Sequence, residues 1–409
     1  MEYDFDREIA RKGTDSVKWE FIHQGEDLIY WDKTDLRHGS DRVVPMWVAD
    51  MDFLSPEPVI EALMARAKHG IFGYSERTDS FYEAVITWMK KRHHWDIARE
   101  WICTMPGVVP ALNMLVRALV PPGGKVLIQP PVYHPFYSAI KNNGAELVAN
   151  PLVLEGGRYH MDLDDLRNKA RDPQARMAIL CSPHNPVGRV WTRDELVQFG
   201  EICLENEVLV VSDEIHSDLI YRGYRFTPFA SISEAFAQHT VVCTAPSKTF
   251  NLAGLQTSNI IIPNPDLRAR FLKAVETAGL FGVNAFGLVA LEAAYNHGEE
   301  WLDQVLAYVE ANFLYLDDYV RTRIPSLSII RPEGTYLVWL DCRRLGLDKH
   351  ELRRMMLEEA KVYLDEGFIF GPEGEGFERI NIACPRSLLV EAMERIRVAV
   401  YRLGGTKIG

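Results

Sequence analysis

The feature that most constrains this chain is a series of short apolar runs. Lys125–Gln129, Met177–Cys181, Val208–Ser212, Val241–Thr244 and Asn259–Ile262 are each four or five residues long, rich in leucine or β-branched residues, and free of polar alternation. Runs of that kind suit strands buried on both faces of a parallel sheet. Helical patterns lie between them. In Thr192–Asn206, Thr192 is placed to cap and Glu195 sits three residues on. Strands alternating with helices predict an α/β architecture with a mostly parallel sheet covered on both faces.

The last third reads differently. A long helical stretch near 299–324 precedes a strand at Thr335–Asp341, a helix near Lys349–Ala360, a strand near Glu378–Ala383 and a helix from Ser387. This is an α/β unit of its own. The expected division is a large domain over 46–288 and a small domain built from 1–45 and 289–409. A length of 409 residues suits that division.

Charge and cysteine usage exclude several classes. A net charge of −12 argues against nucleic acid as the main partner, which needs a basic surface. No apolar run approaches the ~20 residues of a membrane span, and the charged N-terminus lacks the apolar core of a signal peptide. Six scattered cysteines without a CxxC motif read as buried, reduced thiols, and the expectation is a cytoplasmic protein without a metal site. His93-His94 closes a helical run beside Trp95 and lacks metal-ligand spacing. The P-loop, dinucleotide-binding, nucleophile-elbow and zinc-protease signatures are all missing.

Chemistry concentrates in three loops that follow predicted strands, where open α/β sheets present ligand groups. Ser182–Arg189 follows the second run, Asp213–His216 the third, and Ala245–Gly254 the fourth. Asn185 lies 28 residues before Asp213, and Asp213 lies 35 before Lys248, one βα unit apiece. Singly, each has an ordinary reading: Asp213 a helix cap, Asn185 a turn residue, Lys248 a surface lysine, His216 a structural histidine. Their joint order is what points to a site.

The set resembles fold type I pyridoxal 5'-phosphate (PLP) enzymes, the aspartate aminotransferase superfamily. Within it the chain is similar to the cystathionine β-lyase or C–S lyase branch, the MalY/PatB family. The matching pieces are Phe5-Asp6, Gly13–Trp19, WVADMDF at 47–53, Pro183–Trp191, Ser212–His216, Ser247–Gly254 and Arg379–Arg386. The resemblance implies a large domain with a seven-stranded sheet between helices, and a smaller α/β domain. It also implies PLP as cofactor, carried covalently by Lys248, whose amine is then placed to take the Cα proton of an amino-acid substrate. Asp213 would pair with the ring nitrogen, Asn185 would donate to the ring oxygen with His216 near the same edge, and Tyr133 would stack on the ring. The phosphate would lie at a helix start near Gly107, Val108 and Val109, with Ser247 as a further donor. Tyr74 would reach the cofactor phosphate of a neighbouring subunit, making the active unit a homodimer with its sites at the interface. Arg379 would hold the substrate carboxylate, helped by backbone at Val48 and Ala49.

Some positions depart from the common aminotransferase pattern. Gln256 stands eight residues after Lys248 where many aminotransferases carry arginine, and Ala245 stands three before it where serine is frequent. His216 replaces a common tyrosine. These departures favour cleavage of the Cβ–S bond of L-cystathionine or a related cysteine S-conjugate to a thiol, pyruvate and ammonia. Amino-group transfer is the alternative activity, and a non-catalytic regulatory protein of the same fold is a third reading.

Overall fold

A computed structural model describes residues 2–25, 27–31 and 43–406; residues 32–42 of the expected N-terminal segment lie outside it. Two units form. The larger spans Leu54–Asp303 with Glu333–Thr335, and the smaller combines Met1–Phe53, Gln304–Pro332 and Tyr336–Gly409.

The larger unit is built on seven strands: β1 (Ile102–Met105), β2 (Lys125–Ile128), β3 (Glu146–Ala149), β4 (Ala175–Cys181), β5 (Leu209–Asp213), β6 (Thr240–Thr244) and β7 (Ser258–Ile261). They lie in the order β1-β7-β6-β5-β4-β2-β3. Strands β2 to β6 are parallel wherever they pair. One expectation needs correction. The Asn259–Ile262 run, read as a parallel strand, is β7, and it runs antiparallel to both β6 and β1. An apolar run shows that a strand is buried but not which way it points, and no full crossover helix joins β6 to β7.

The larger unit's helices include α1 (Glu57–His69), α2 (Asp79–His93), α3 (Val108–Leu119), α4 (Arg193–Glu205), α5 (Pro265–Thr277) and α6 (Ala285–His297). The N-terminus of α4 is fixed as its sequence predicts. The Thr192 hydroxyl accepts from the Glu195 N–H, while the Glu195 carboxylate accepts from the Thr192 N–H. Helix α3 buries Val108, Ala111, Leu112, Leu115 and Val116 in a core shared with Val126, Ile128, Ile179, Val211 and Val241 of the sheet. Full burial of such a side chain contributes about 1.5–3 kcal/mol.

The smaller unit carries β8 (Ser328–Ile330), β9 (Leu337–Asp341), β10 (Asp365–Glu366) and β11 (Phe377–Asn381), an antiparallel sheet in the order β8-β9-β11-β10. Helices α7 (Glu299–Arg323), most of whose length lies in this unit, and α8 (Arg386–Thr406) accompany it. Two of the quoted sequence motifs meet here. Lys18, fully buried, donates to Asp52 at 2.6 Å, Trp19 Nε1 to the same carboxylate at 2.7 Å, and Arg11 bridges Asp50 and Asp52 at 2.6 and 2.8 Å. Burial works to raise the Asp52 pKa, but Lys18 and Arg11 overcome it and hold the carboxyl below its ordinary range.

Candidate active site

Sheet register brings the three loops together. Asp213, the last residue of β5, lies level with Cys181 of β4 on one side and Cys243 of β6 on the other. Asn185 follows Cys181 by four residues and Lys248 follows Cys243 by five. All three therefore leave the carboxyl ends of adjacent parallel strands, the edge where ligands bind in open α/β sheets. Strand β1 runs in the same direction as β6, so Gly107 and the start of α3 belong to this edge too.

Asp213 sets the electrostatics. Its side chain is buried, and Oδ1 accepts from the Ile215 N–H at 3.2 Å. Desolvation pushes its pKa up to about 7, against the opposing pull of that N–H and of the Lys248 charge. Glu214, also buried, is pushed up to about 8 by desolvation, although the Phe229 N–H and the Ser212 hydroxyl donate to it at 2.9 Å. A carboxyl so poorly solvated is a strong acceptor for a protonated ring nitrogen. The residues therefore fit PLP.

Backbone bonds tie the remaining groups to this edge. The Tyr133 N–H donates to the Asn185 carbonyl at 3.1 Å, joining the loop after β2 to the loop after β4. The Tyr133 ring, half-buried, meets Phe136 edge-on. His216 is buried, and its carbonyl accepts from the Leu219 N–H at 2.9 Å. Gly107 takes φ +113° and ψ +161° just before α3, and no side chain caps that helix. The first N–H groups of α3, those of Val108 and Val109, are the kind that hold a phosphate. Ser247 lies beside Lys248 in the short helix Pro246–Thr249, and both are half-buried.

Tyr74 is not gathered into this constellation; it is fully exposed. Arg379, Val48 and Ala49 belong to the smaller unit. There Arg379 donates to the Trp47 carbonyl at 2.9 Å and pairs with Asp365, and its guanidinium lies over Phe370. Asn381 donates to the carbonyls of Val48 and Asp50 at 2.7 and 2.6 Å, and the Tyr336 hydroxyl donates to that of Ala49 at 3.0 Å. A carboxylate bound by Arg379 would share it with Asp365.

Several positioning residues escape a reading of the sequence. The Thr249 hydroxyl donates to the buried Asp218 at 2.7 Å, Trp88 Nε1 donates to it at 3.2 Å, and His93 Nε2 lies 2.9 Å from it. This carboxylate thus anchors the turn that carries Lys248. His184 latches two loops through Nε2 to the Pro131 carbonyl at 2.9 Å, and burial lowers its pKa to about 4, keeping it neutral. Arg189, fully buried, binds Glu333 and Glu195 at 3.0 and 2.8 Å. The available signal is position alone: Thr249, His184 and Arg189 fall inside the quoted motifs, and Asp218 lies two residues beyond Ser212–His216.

The sequence matches the family model for aminotransferase class I and II over residues 42–396. It is 46% identical to cystathionine beta-lyase PatB of Bacillus subtilis over 97% of this chain and 99% of that protein. It is 33% identical to protein MalY of Escherichia coli, over 95% of this chain and 96% of that one. The fold matches the crystal structure of cystalysin from Treponema denticola, which contains a PLP cofactor, with a TM-score of 0.93 and 40% identity, covering 98% of this chain and all of that one. The chain thus belongs to the aminotransferase class I and II family, in the branch that includes PatB and MalY.

Proposed function

We propose that this protein is a PLP-dependent C–S β-lyase that cleaves L-cystathionine or a related cysteine S-conjugate. The observation that carries the reading is the convergence of Asn185, Asp213 and Lys248 on one sheet edge, with Asp213 desolvated beside the Lys248 charge. Identity to PatB over almost the whole chain favours the lyase over amino-group transfer, and His216 and Gln256 are in keeping with it. We take the larger unit as the cofactor-binding domain expected over 46–288, and the smaller as the substrate-carboxylate domain.

Bound PLP supplies a sink for the electron pair left at Cα. Around it, Asp213 holds a proton at the ring nitrogen, Asn185 donates to the ring oxygen with His216 beside it, and Tyr133 covers one face. The Val108 and Val109 amides and the Ser247 hydroxyl hold the phosphate, with Gly107 allowing close approach. Arg379 and the backbone at Val48 and Ala49 orient the substrate carboxylate. Lys248 would carry the cofactor, and its Nζ would take the Cα proton and return a proton to the departing sulfur. The Cβ–S bond breaks, the thiol leaves, and water converts the three-carbon remainder to pyruvate and ammonia.

The exposed Tyr74, with Ile71, Phe72 and Phe281 also exposed, supports a homodimer in which Tyr74 reaches the partner's phosphate. Six buried free cysteines support a cytoplasmic location. Among the described residues no helix is long and apolar enough to cross a membrane. Borohydride reduction of PLP-loaded protein followed by peptide mass mapping tests the cofactor assignment: the adduct belongs on the Lys248 peptide, and an adduct elsewhere contradicts it.

A further inference from the structure

A cavity opens in the larger unit, at the C-terminus of α2. Its volume is about 570 Å³, the size of a small-molecule site, and none of the residues assigned to PLP lines it. Its charge is unlike that of the chain. Lys91, Arg92, Arg193 and Arg225 face it, against two carboxylates, Asp218 and Glu299. In a protein of net charge −12 this is a local excess of positive charge.

Those carboxylates are already committed. Glu299 pairs with Lys91, and Asp218 is bound by Thr249, Trp88 and His93. Arg92 pairs with Asp303 at 3.0 Å. Among the described residues, neither Arg193 nor Arg225 makes an ion pair. Two exposed, planar, permanently charged forks lining one cavity are suited to phosphoryl oxygens, which they bind two at a time. Phe226, Pro228 and the buried His93–Asp218 pair line the same cavity. We propose that this cavity is a binding site for a phosphorylated small molecule, held chiefly by Arg193 and Arg225 and separate from the PLP phosphate site.

The test is calorimetric titration of the PLP-loaded protein with inorganic pyrophosphate at constant ionic strength, with PLP retention followed by absorbance. Three proteins are compared: wild type, Arg193→Ala/Arg225→Ala, and Arg270→Ala/Lys273→Ala, a remote variant on α5 outside the cavity lining, with the same charge change. The expected result is saturable binding without loss of PLP in the wild type and the remote variant, weakened at least tenfold in Arg193→Ala/Arg225→Ala. Equal retained PLP and melting temperature in all three, measured without pyrophosphate, would tie that loss to the cavity. The proposal is overturned by absent saturable binding, by equal binding in all three, by equal weakening in both variants, or by binding that displaces PLP.

Discussion

The hydroxyl of Thr249 donates to the buried carboxylate of Asp218 at 2.7 Å, fixing the turn whose preceding residue is Lys248. A hydrogen bond to a buried charge is worth about 1.5–3 kcal/mol. Thr249→Val should lower stability by about that amount and reduce kcat more than it raises KM, because Lys248 loses its placement rather than the substrate its contacts. Thr249→Ser should restore both. Denaturant unfolding and steady-state kinetics on the two variants check this, and a purely structural role would leave kcat intact in the folded Val variant.

Asp213 and Glu214 make stability depend on pH in the cofactor-free protein. Burial raises their folded pKa values to about 7 and about 8, so the folded chain holds protons that the unfolded chain has lost. Their contribution is fully present below the ordinary carboxylate range and is lost as pH rises through those values. Unfolding free energy should fall by roughly 2 kcal/mol or more between about pH 5 and about pH 8. Asp213→Asn should flatten that slope, and so should bound PLP. An unchanged slope in Asp213→Asn would contradict the assignment.

Gly107 occupies a backbone conformation that other residues rarely adopt. A Cβ there would meet Pro110 Cδ at 3.6 Å, an ordinary contact, so the obstacle to substitution is φ rather than space. Gly107→Ala should cost about 1–3 kcal/mol, and it should weaken PLP binding by shifting the amides of Val108 and Val109. Equilibrium titration with PLP measures the second effect; unchanged affinity would mean that the phosphate is held elsewhere.

Arg379 has two jobs that mutation can separate. Arg379→Ala should raise KM for the amino acid roughly 10–100-fold, the value of a charged hydrogen bond. It also leaves the half-buried Asp365 without this cation, beside the buried Glu378 and Glu366. Arg379→Ala/Asp365→Asn should recover stability while KM stays high. Recovery of both would show that Arg379 serves the fold alone.

How much of this was legible in the sequence depended on whether the information was local. The β2, β4, β5, β6 and β7 runs announced themselves because burial on both faces leaves no polar alternation. Strand β3, only half-buried along its length, gave a weaker signal. The reversed direction of β7 left no trace in its own residues. Asn185, Asp213 and Lys248 could be placed on one edge because each follows a strand. Asp218 could not be connected to Trp88, 130 residues away, nor Arg189 to Glu333, 144 residues away. Such partners are chosen by the folded unit and have no spacing to read. The Asp365 pairing of Arg379 is of the same kind, since it arises from β10 lying against β11.

The most direct test of the central claim is pyruvate release from L-cystathionine by PLP-loaded wild-type protein and by Lys248→Ala. The wild type should release pyruvate and thiol in equal amounts, and Lys248→Ala should lose this activity while remaining folded. Pyruvate release that survives in Lys248→Ala would contradict the account. So would a wild type that releases none and instead passes its amino group to a 2-oxo acid.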